Sequence, residues 1–280
     1  MFYMTDFILL TREEDICKER IAEEARNAGC RVFAYTWEEM VKTLNPKIEW
    51  RLGESAVLCA RVPYDYVQGI SYESILRIVL REFKFVKILD ESICRLSYEQ
   101  HEDKLFQSYI FDKVGVPYAK IELLGNVENW QYPIIAKTRV SGRSRGNYIL
   151  RNKSELVGLN AATSGKFIFQ KFRSLIADYR VLILGNEVLS IVNRKVTIHD
   201  DGRVGVKVFE PIAKISKEII NECLEVKNKL GLDFVGFDIG MEEGRSHFFI
   251  EYNMYPYFVA TERETGINVG RKLVDFLLKY

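Results

Sequence analysis

The sequence predicts an α/β lead domain followed by an α+β body. Three observations predict it. Residues 7–10, 13–28 and 31–35 read as strand, helix and strand, with Gly29 stopping the helix, and a β-α-β opening requires a parallel sheet. Further along the pattern changes to hairpins, since residues 179–184 and 188–194 are apolar runs on either side of Gly185-Asn186, a strong turn signal. A second hairpin is predicted where Gly236-Phe237-Asp238-Ile239 and Phe248-Phe249-Ile250-Glu251-Tyr252-Asn253 flank Glu243-Gly244.

The remaining elements follow in order. Residues 56–60 predict a third lead strand, 72–83 a helix and 85–89 the closing strand of a unit that ends near Ser97, while the stretch 35–55 has no clear period. A second unit, from residue 98 to 280, opens with a helix from His101 to Val114, closed by Gly115-Val116-Pro117. Strand-like segments follow at 118–123, 133–137, 147–150 and 167–172. After the first hairpin a polar loop leads to a helix over 217–230, and a helix over 269–278 closes the chain. No repeat or long linker interrupts the pattern.

The 280 residues suffice for a large core. A hydrophobic fraction of 48% and a charged fraction of 28% describe an ordinary globular protein. A net charge of +1 gives no global attraction to nucleic acid or to an anionic membrane, so anion binding has to be local. The scattered cysteines Cys17, Cys30, Cys59, Cys94 and Cys223 fit a reduced, cytoplasmic chain. No targeting segment or run of bilayer length is predicted.

Candidate chemistry concentrates in the second unit. If Glu243-Gly244 sets the register, Asp238 lies opposite Phe249 and diagonal to Glu251, and Asp238, Glu251 and Asn253 share one face. Such an all-oxygen set suits a hard cation, Mg²⁺ above all, although acidic alternation also describes a solvated strand face. Lys137 ends an apolar strand and precedes the Gly/Arg loop 138–146, which either offers backbone N–H groups and guanidinium forks to phosphate or is a surface turn. Its lysine precedes the glycines, so it is neither a Walker A loop nor a dinucleotide fingerprint. Lys104 opens a helix. Arg180 and Arg194 occupy facing strands with Asp178 just before, an arrangement that also describes a surface ladder of ion pairs.

From about residue 100 to 278, the ordered series of Asp103-Lys104-Leu105, Ile135-Ala136-Lys137, Phe169-Gln170-Lys171-Phe172, Asp178-Tyr179-Arg180-Val181, Val192-Asn193-Arg194, Gly236-Phe237-Asp238, Glu251-Tyr252-Asn253 and Thr265-Gly266-Ile267-Asn268 resembles the ATP-grasp ligases, and within them the RimK-type, glutathione synthetase-like amino-acid ligases. The resemblance implies an ATP-grasp fold whose two lobes, 98–172 and 173–280, clamp ATP behind a lead domain at 1–97. It implies that Lys104 and Lys137 hold the phosphates, that a flap containing Ser141, Gly142, Arg143 and Ser144 covers them, and that the backbone of Gln170, Lys171 and Phe172 meets adenine. Asp178 is implied near the sugar or the acceptor. Arg180 and Arg194 are implied at the transferred phosphoryl group and acyl substrate, and Asp238, Glu251 and Asn253 as ligands of two Mg²⁺ ions, with Mn²⁺ an admissible substitute. The implied activity is an amide-forming carboxylate–amine ligase working through an acyl phosphate on small substrates or on a peptide or carrier-protein acceptor, with homo-oligomerisation left open. Kinases of the inositol phosphate type and non-catalytic ATP-binding modules share the scaffold. The chain departs from the pattern at Lys171, at Tyr257 after Pro256, and in the segment 195–203, which replaces a loop that often shapes the substrate site.

Overall fold

The computed structural model describes residues 5–43, 55–61, 66–67, 70–123, 127, 129–140, 146–163, 167–198, 204–212 and 214–279. The lead unit comprises β1 (Asp6–Thr11), α1 (Lys18–Asn27), β2 (Arg31–Thr36), α2 (Trp37–Thr43), β3 (Ala56–Ala60), the short pair β4 (Tyr66–Val67) and β5 (Ile70–Ser71), α3 (Tyr72–Glu82) and β6 (Lys87–Ile88). Its parallel sheet has the order β2-β1-β3-β6. Every residue of β1 and β3 is buried, as expected for parallel strands covered on both faces. α1 starts later than the sequence predicts, because the Asp15 carboxylate accepts from the Cys17 N–H (2.9 Å) and pairs with Arg61 (2.5 Å), fixing a turn ahead of the helix. The closing strand is also shorter than predicted, and α2 falls in a stretch without legible periodicity.

The helix predicted from His101 is broken in two, α4 (Tyr98–Glu102) and α5 (Lys104–Val114). Asp103 sits between them in extended conformation (φ −72°, ψ 112°) and caps α5 by accepting from the Leu105 N–H at 2.9 Å. This break sets Lys104 at the head of a helix. Residues 118–123 are a connector with single bridges, Tyr118 to Phe249 and Glu122 to Phe169, and not the predicted strand. Next come β7 (Ile134–Thr138), β8 (Asn147–Leu150), α6 (Lys153–Thr163) and β9 (Phe167–Lys171), with an antiparallel sheet in the order β8-β7-β9.

The rest of the chain forms β10 (Ala177–Leu184), β11 (Glu187–Ile198), β12 (Val204–Pro211), α7 (Lys217–Leu230), β13 (Phe234–Met241), β14 (His247–Met254), α8 (Val259–Thr265) and α9 (Val269–Leu278). The antiparallel sheet runs β12-β11-β10-β13-β14. Gly185, at φ 58°, makes the predicted first turn. The predicted polar loop after Arg194 is instead a continuation of β11 that returns as β12, with Ile198 paired to Val204 and Val196 to Val206. The alternating valines of 204–208 carry that strand. The second hairpin departs from its predicted register: Asp238 pairs directly with Glu251, not with Phe249, which faces Ile239. Its turn is a three-residue one over Glu243–Arg245 with Gly244 at φ 77°, and a bulge follows between Asp238 and Ile239. Each shifts the pairing by one, so the two together restore the predicted face.

One apolar core runs from Phe7 and Leu58 of the lead sheet through Phe237 and Tyr252 to Leu277 of α9. The β7–β9 sheet has a separate, smaller core of Val127, Ile134, Ala136, Leu150, Leu156, Phe167 and Phe169. Buried polar ties reinforce the large one. Arg61 bridges Asp15 to the Tyr255 carbonyl (3.2 Å), and Asp90 Oδ1 accepts from the N–H groups of Asp233 (2.5 Å) and Phe234 (2.8 Å).

Burial pushes the Asp90 carboxyl up to about 7 in spite of those donors. Folded protein therefore keeps a proton that the unfolded chain releases near pH 4, and stability from this group falls as pH rises between about 4 and 7. Asp90→Asn keeps an acceptor for both N–H groups and removes the titration. In urea unfolding across that window, the variant is expected to gain on the wild type by up to ~1.4 kcal/mol per pH unit; parallel profiles would refute the assignment.

Candidate active site

Strands β10, β13 and β14 put three charged residues in one cross-strand row: Arg180 pairs with Asp238, and Asp238 with Glu251. Asp178, two residues before Arg180, and Asn253, two after Glu251, share the face by the alternation of strands. Arg194 reaches it from β11, two residues beyond Val192, the partner of Arg180. Gly236 opposes Asn253, and a Cβ there would lie 3.2 Å from the Pro256 ring, so glycine lets Pro256 pack closely against the strand.

The arginines converge on Asp238. Arg180 donates from Nε to Oδ1 at 2.8 Å and from Nη2 to Oδ2 at 2.9 Å, a bidentate pair, and Arg194 adds Nη1 to Oδ2 at 2.6 Å. Arg194 also donates from Nε (3.2 Å) and Nη2 (2.6 Å) to Oδ1 of Asp178. Asp238 is only 1% exposed. Burial alone would raise its carboxyl, but the two guanidiniums hold it down at about 2. Asp178 goes the other way, pushed up to about 6 by burial against the pull of Arg194. The sequence led to an expected divalent cation as the neutraliser of these acids. The arginines already fill that role at Asp238.

Between this face and the β7–β9 sheet lies a cavity of about 590 Å³. Ile135, Ile149 and Phe172 give it an apolar end, and Lys137, Asp178, Arg194, Asp238 and Glu251 a charged one. Lys137 is buried on β7, its ammonium disfavoured by burial and by Lys104 but attracted by Glu251. Lys104 is buried at the head of α5. The predicted residues therefore meet, with exceptions. Lys104, Arg180 and Asn253 are not among the residues that line it, although Lys104 lies close enough to Lys137 to repel its ammonium and Arg180 is bonded to the lining residue Asp238. Gln170 turns its side chain away, donating from Nε2 to the Ala119 carbonyl at 2.7 Å, and the Lys171 ammonium lies 5.7 Å from the centre of the Trp130 ring. Ser141, Gly142, Arg143 and Ser144, with His199 and Arg203, lie outside the described residues. His101 is structural: its Nδ1 lies 3.1 Å from the Tyr252 hydroxyl, and burial pulls its pKa down to about 4.

Sequence reasoning missed Arg173, Leu175, Ile176, Asn147 and Ile149 on the cavity wall. Ile149 was within reach, because it pairs with Ile135 across β7 and β8. Arg173 was not, since its place depends on stacking 3.9 Å from the Phe248 ring centre and on a fork to Glu242.

Asp238, Glu251 and the side-chain oxygen of Asn253 form an oxygen-only set of the kind that suits Mg²⁺. The Glu251 carboxylate accepts no hydrogen bond among the described residues and so retains capacity for a cation, whereas the buried Nδ2 of Asn253 is a donor without a partner and calls for an acceptor, leaving Oδ1 as the atom of that amide able to meet a metal. No group of three His, Cys, Asp or Glu among the described residues forms a metal cluster, and the fit rests on two carboxylates and an amide.

A cavity between two antiparallel sheets, with buried lysines toward one and paired carboxylates on the other, defines a nucleotide-clamping class of fold. The chain belongs to the RimK-like ATP-grasp domain family, whose model matches residues 114–277. It is 26% identical over 168 residues to N-acetylaspartylglutamate synthase A of Mus musculus, covering 56% of this chain and 43% of that one. To beta-citrylglutamate synthase B of Homo sapiens it is 24% identical over 246 residues, covering 79% and 60%. The match thus spans less than two thirds of the length of either relative. Among solved structures, the ATP-grasp ligase PsnB, complexed with a phosphomimetic variant of its minimal precursor, Mg and ADP, superposes with a TM-score of 0.73 over 97% of each chain at 15% identity. That likeness establishes the fold. No helix among the described residues is long and apolar enough to cross a membrane.

Asp238→Ala would strand the Arg180 guanidinium and leave Arg194 with Asp178 alone. Urea unfolding of the ligand-free protein is expected to show a loss of roughly 3 kcal/mol. A loss below about 1 kcal/mol would mean that the row is a solvated ladder of surface type.

Proposed function

We propose that this chain is an ATP-dependent carboxylate–amine ligase that forms an amide through an acyl phosphate and releases ADP and phosphate. The observation that carries the reading is the convergence of Lys137, Arg194, Asp238 and Glu251 at one end of a cavity whose other end is apolar. A purine fits the apolar end beside Ile135, Ile149 and Phe172, and a triphosphate fits the cationic end. The relatives named above are synthases of amide-linked products, which agrees with the chemistry.

The chain's residues act by position and charge. Lys137 and Lys104 draw the phosphates inward and neutralise them. Mg²⁺, or Mn²⁺ in its place, held by Asp238, Glu251 and Asn253, would supply Lewis-acid neutralisation of the phosphate charge. Arg180 and Arg194 stand beside that carboxylate, where they stabilise charge that develops as a substrate carboxylate attacks the terminal phosphorus and ADP leaves. An amine then attacks the acyl carbon and expels phosphate. Asp178, titrating near 6 beside Arg194, fixes that guanidinium in the cavity. The acceptor is a small amine or the end of a peptide, the latter supported by the precursor-bound PsnB structure with which the fold superposes.

Incubation of the protein with Mg·ATP and a pool of amino acids and short peptides tests this by mass spectrometry. Equal amounts of ADP, phosphate and a new amide are expected; phosphoryl retained on an acceptor would establish a kinase instead. Lys137→Ala is expected to weaken ATP binding roughly tenfold or more, the scale of one charge-assisted phosphate contact. Unchanged affinity in calorimetry would displace the triphosphate from this end of the cavity.

A further inference from the structure

The charges around Asp238 leave no place for a metal ion on its own. Three carboxylates, of Asp178, Asp238 and Glu251, stand among three cations, Lys137, Arg180 and Arg194, in one electrostatic cluster. A bare divalent cation would add positive charge to a buried cluster whose carboxylates are already matched one for one by cations. It would also meet a carboxylate with both oxygens engaged, three guanidinium hydrogen bonds ending on Asp238. Displacing one of those groups without a new anion for it leaves a charge buried and unpaired. A polyphosphate changes both conditions at once, because it brings negative charge and oxygens of the geometry that guanidinium forks accept.

The two arginines are not equivalent in this exchange. Among the described residues the Arg180 guanidinium bonds to Asp238 alone, through both oxygens. Arg194 gives Asp238 one bond and keeps two on Asp178, so Nη1 can leave while Nε and Nη2 hold the side chain at the cavity wall. The geometry points to Arg194 as a guard on the metal site: it withholds Asp238 from a divalent cation until nucleotide phosphates arrive to receive its Nη1, so that metal and nucleotide bind as a coupled pair. The inference rests on the nucleotide-binding reading above and adds to it an order of events and the residue that enforces it. By reciprocity, the nucleotide must gain from the metal as much as the metal gains from the nucleotide.

The test is Mn²⁺ binding to the full chain, followed by the electron paramagnetic resonance of free Mn²⁺, with Mn²⁺ alone and with AMPPNP as the unhydrolysed nucleotide. After subtraction of the Mn²⁺ that AMPPNP chelates in a protein-free control, wild-type protein is expected to bind Mn²⁺ at least about tenfold more tightly in the presence of AMPPNP, within the usual range of coupling. Arg194→Gln, which gives up the charge, is expected to bind Mn²⁺ alone about tenfold more tightly than wild type, and the added Asp238→Asn is expected to cancel that gain. Equal Mn²⁺ affinity of the wild type with and without AMPPNP, once that control is subtracted, overturns the guard and needs no variant to be measured. So does an Arg194→Gln protein that is folded by circular dichroism, binds AMPPNP and gains no affinity for Mn²⁺ alone. Both outcomes leave the nucleotide reading standing. Failure of the wild type to bind AMPPNP under either condition overturns that reading and the guard with it.

Discussion

The fork of Arg180 on Asp238, with Arg194 closing on the same carboxylate, is the contact on which the rest of this site depends. It ties β10, β11 and β13 together on the face turned toward the cavity. An acid as deeply buried as Asp238 would otherwise be driven toward its protonated form. With two guanidiniums beside it, the carboxylate stays ionised across the physiological range. Glu251, its neighbour across the strands, is spared the repulsion that two adjacent carboxylates would impose.

The register of the second hairpin makes that contact possible. Asp238 faces Glu251 only because a three-residue turn and a bulge act together, one shift undoing the change of face made by the other. A two-residue turn would give the same face but set the carboxylates diagonally. The lead sheet contributes by fixing the far ends of the same strands: Asp90 binds the first N–H groups of β13, and Arg61 holds the carbonyl of Tyr255 just past β14. The open end of the hairpin that carries the acidic pair is therefore held on both of its strands by buried polar contacts from the lead unit.

Much of this was legible in the sequence, for identifiable reasons. The turn at Gly185-Asn186, the helices α7 and α9 and the parallel opening follow from local chemistry, namely turn residues, caps and apolar period. Asp178, Arg180, Arg194, Asp238 and Glu251 could be picked out because charged residues set in apolar strands are conspicuous. What the sequence could not show depends on contacts between distant segments. The break at Asp103 exists because its backbone bridges to Val140, and the wall position of Arg173 exists because Phe248 stacks on it. β12 was hidden by the polar residues ahead of it, and the bulge by the ambiguity of any turn of two or three residues.

The small sheet β8-β7-β9 keeps its own apolar core, apart from the one that unites everything else. Lys137 and the apolar end of the cavity ride on that sheet, whereas Asp238, Glu251 and both arginines belong to the larger body. The cavity thus lies between two separate hydrophobic interiors, and polar links such as Gln170 to Ala119 and Arg139 to Asp103 tie the small sheet to the segments beside it. A triphosphate bound between Lys137 and the arginines would act as the mortar of that joint, setting the distance between two blocks that are each already solid.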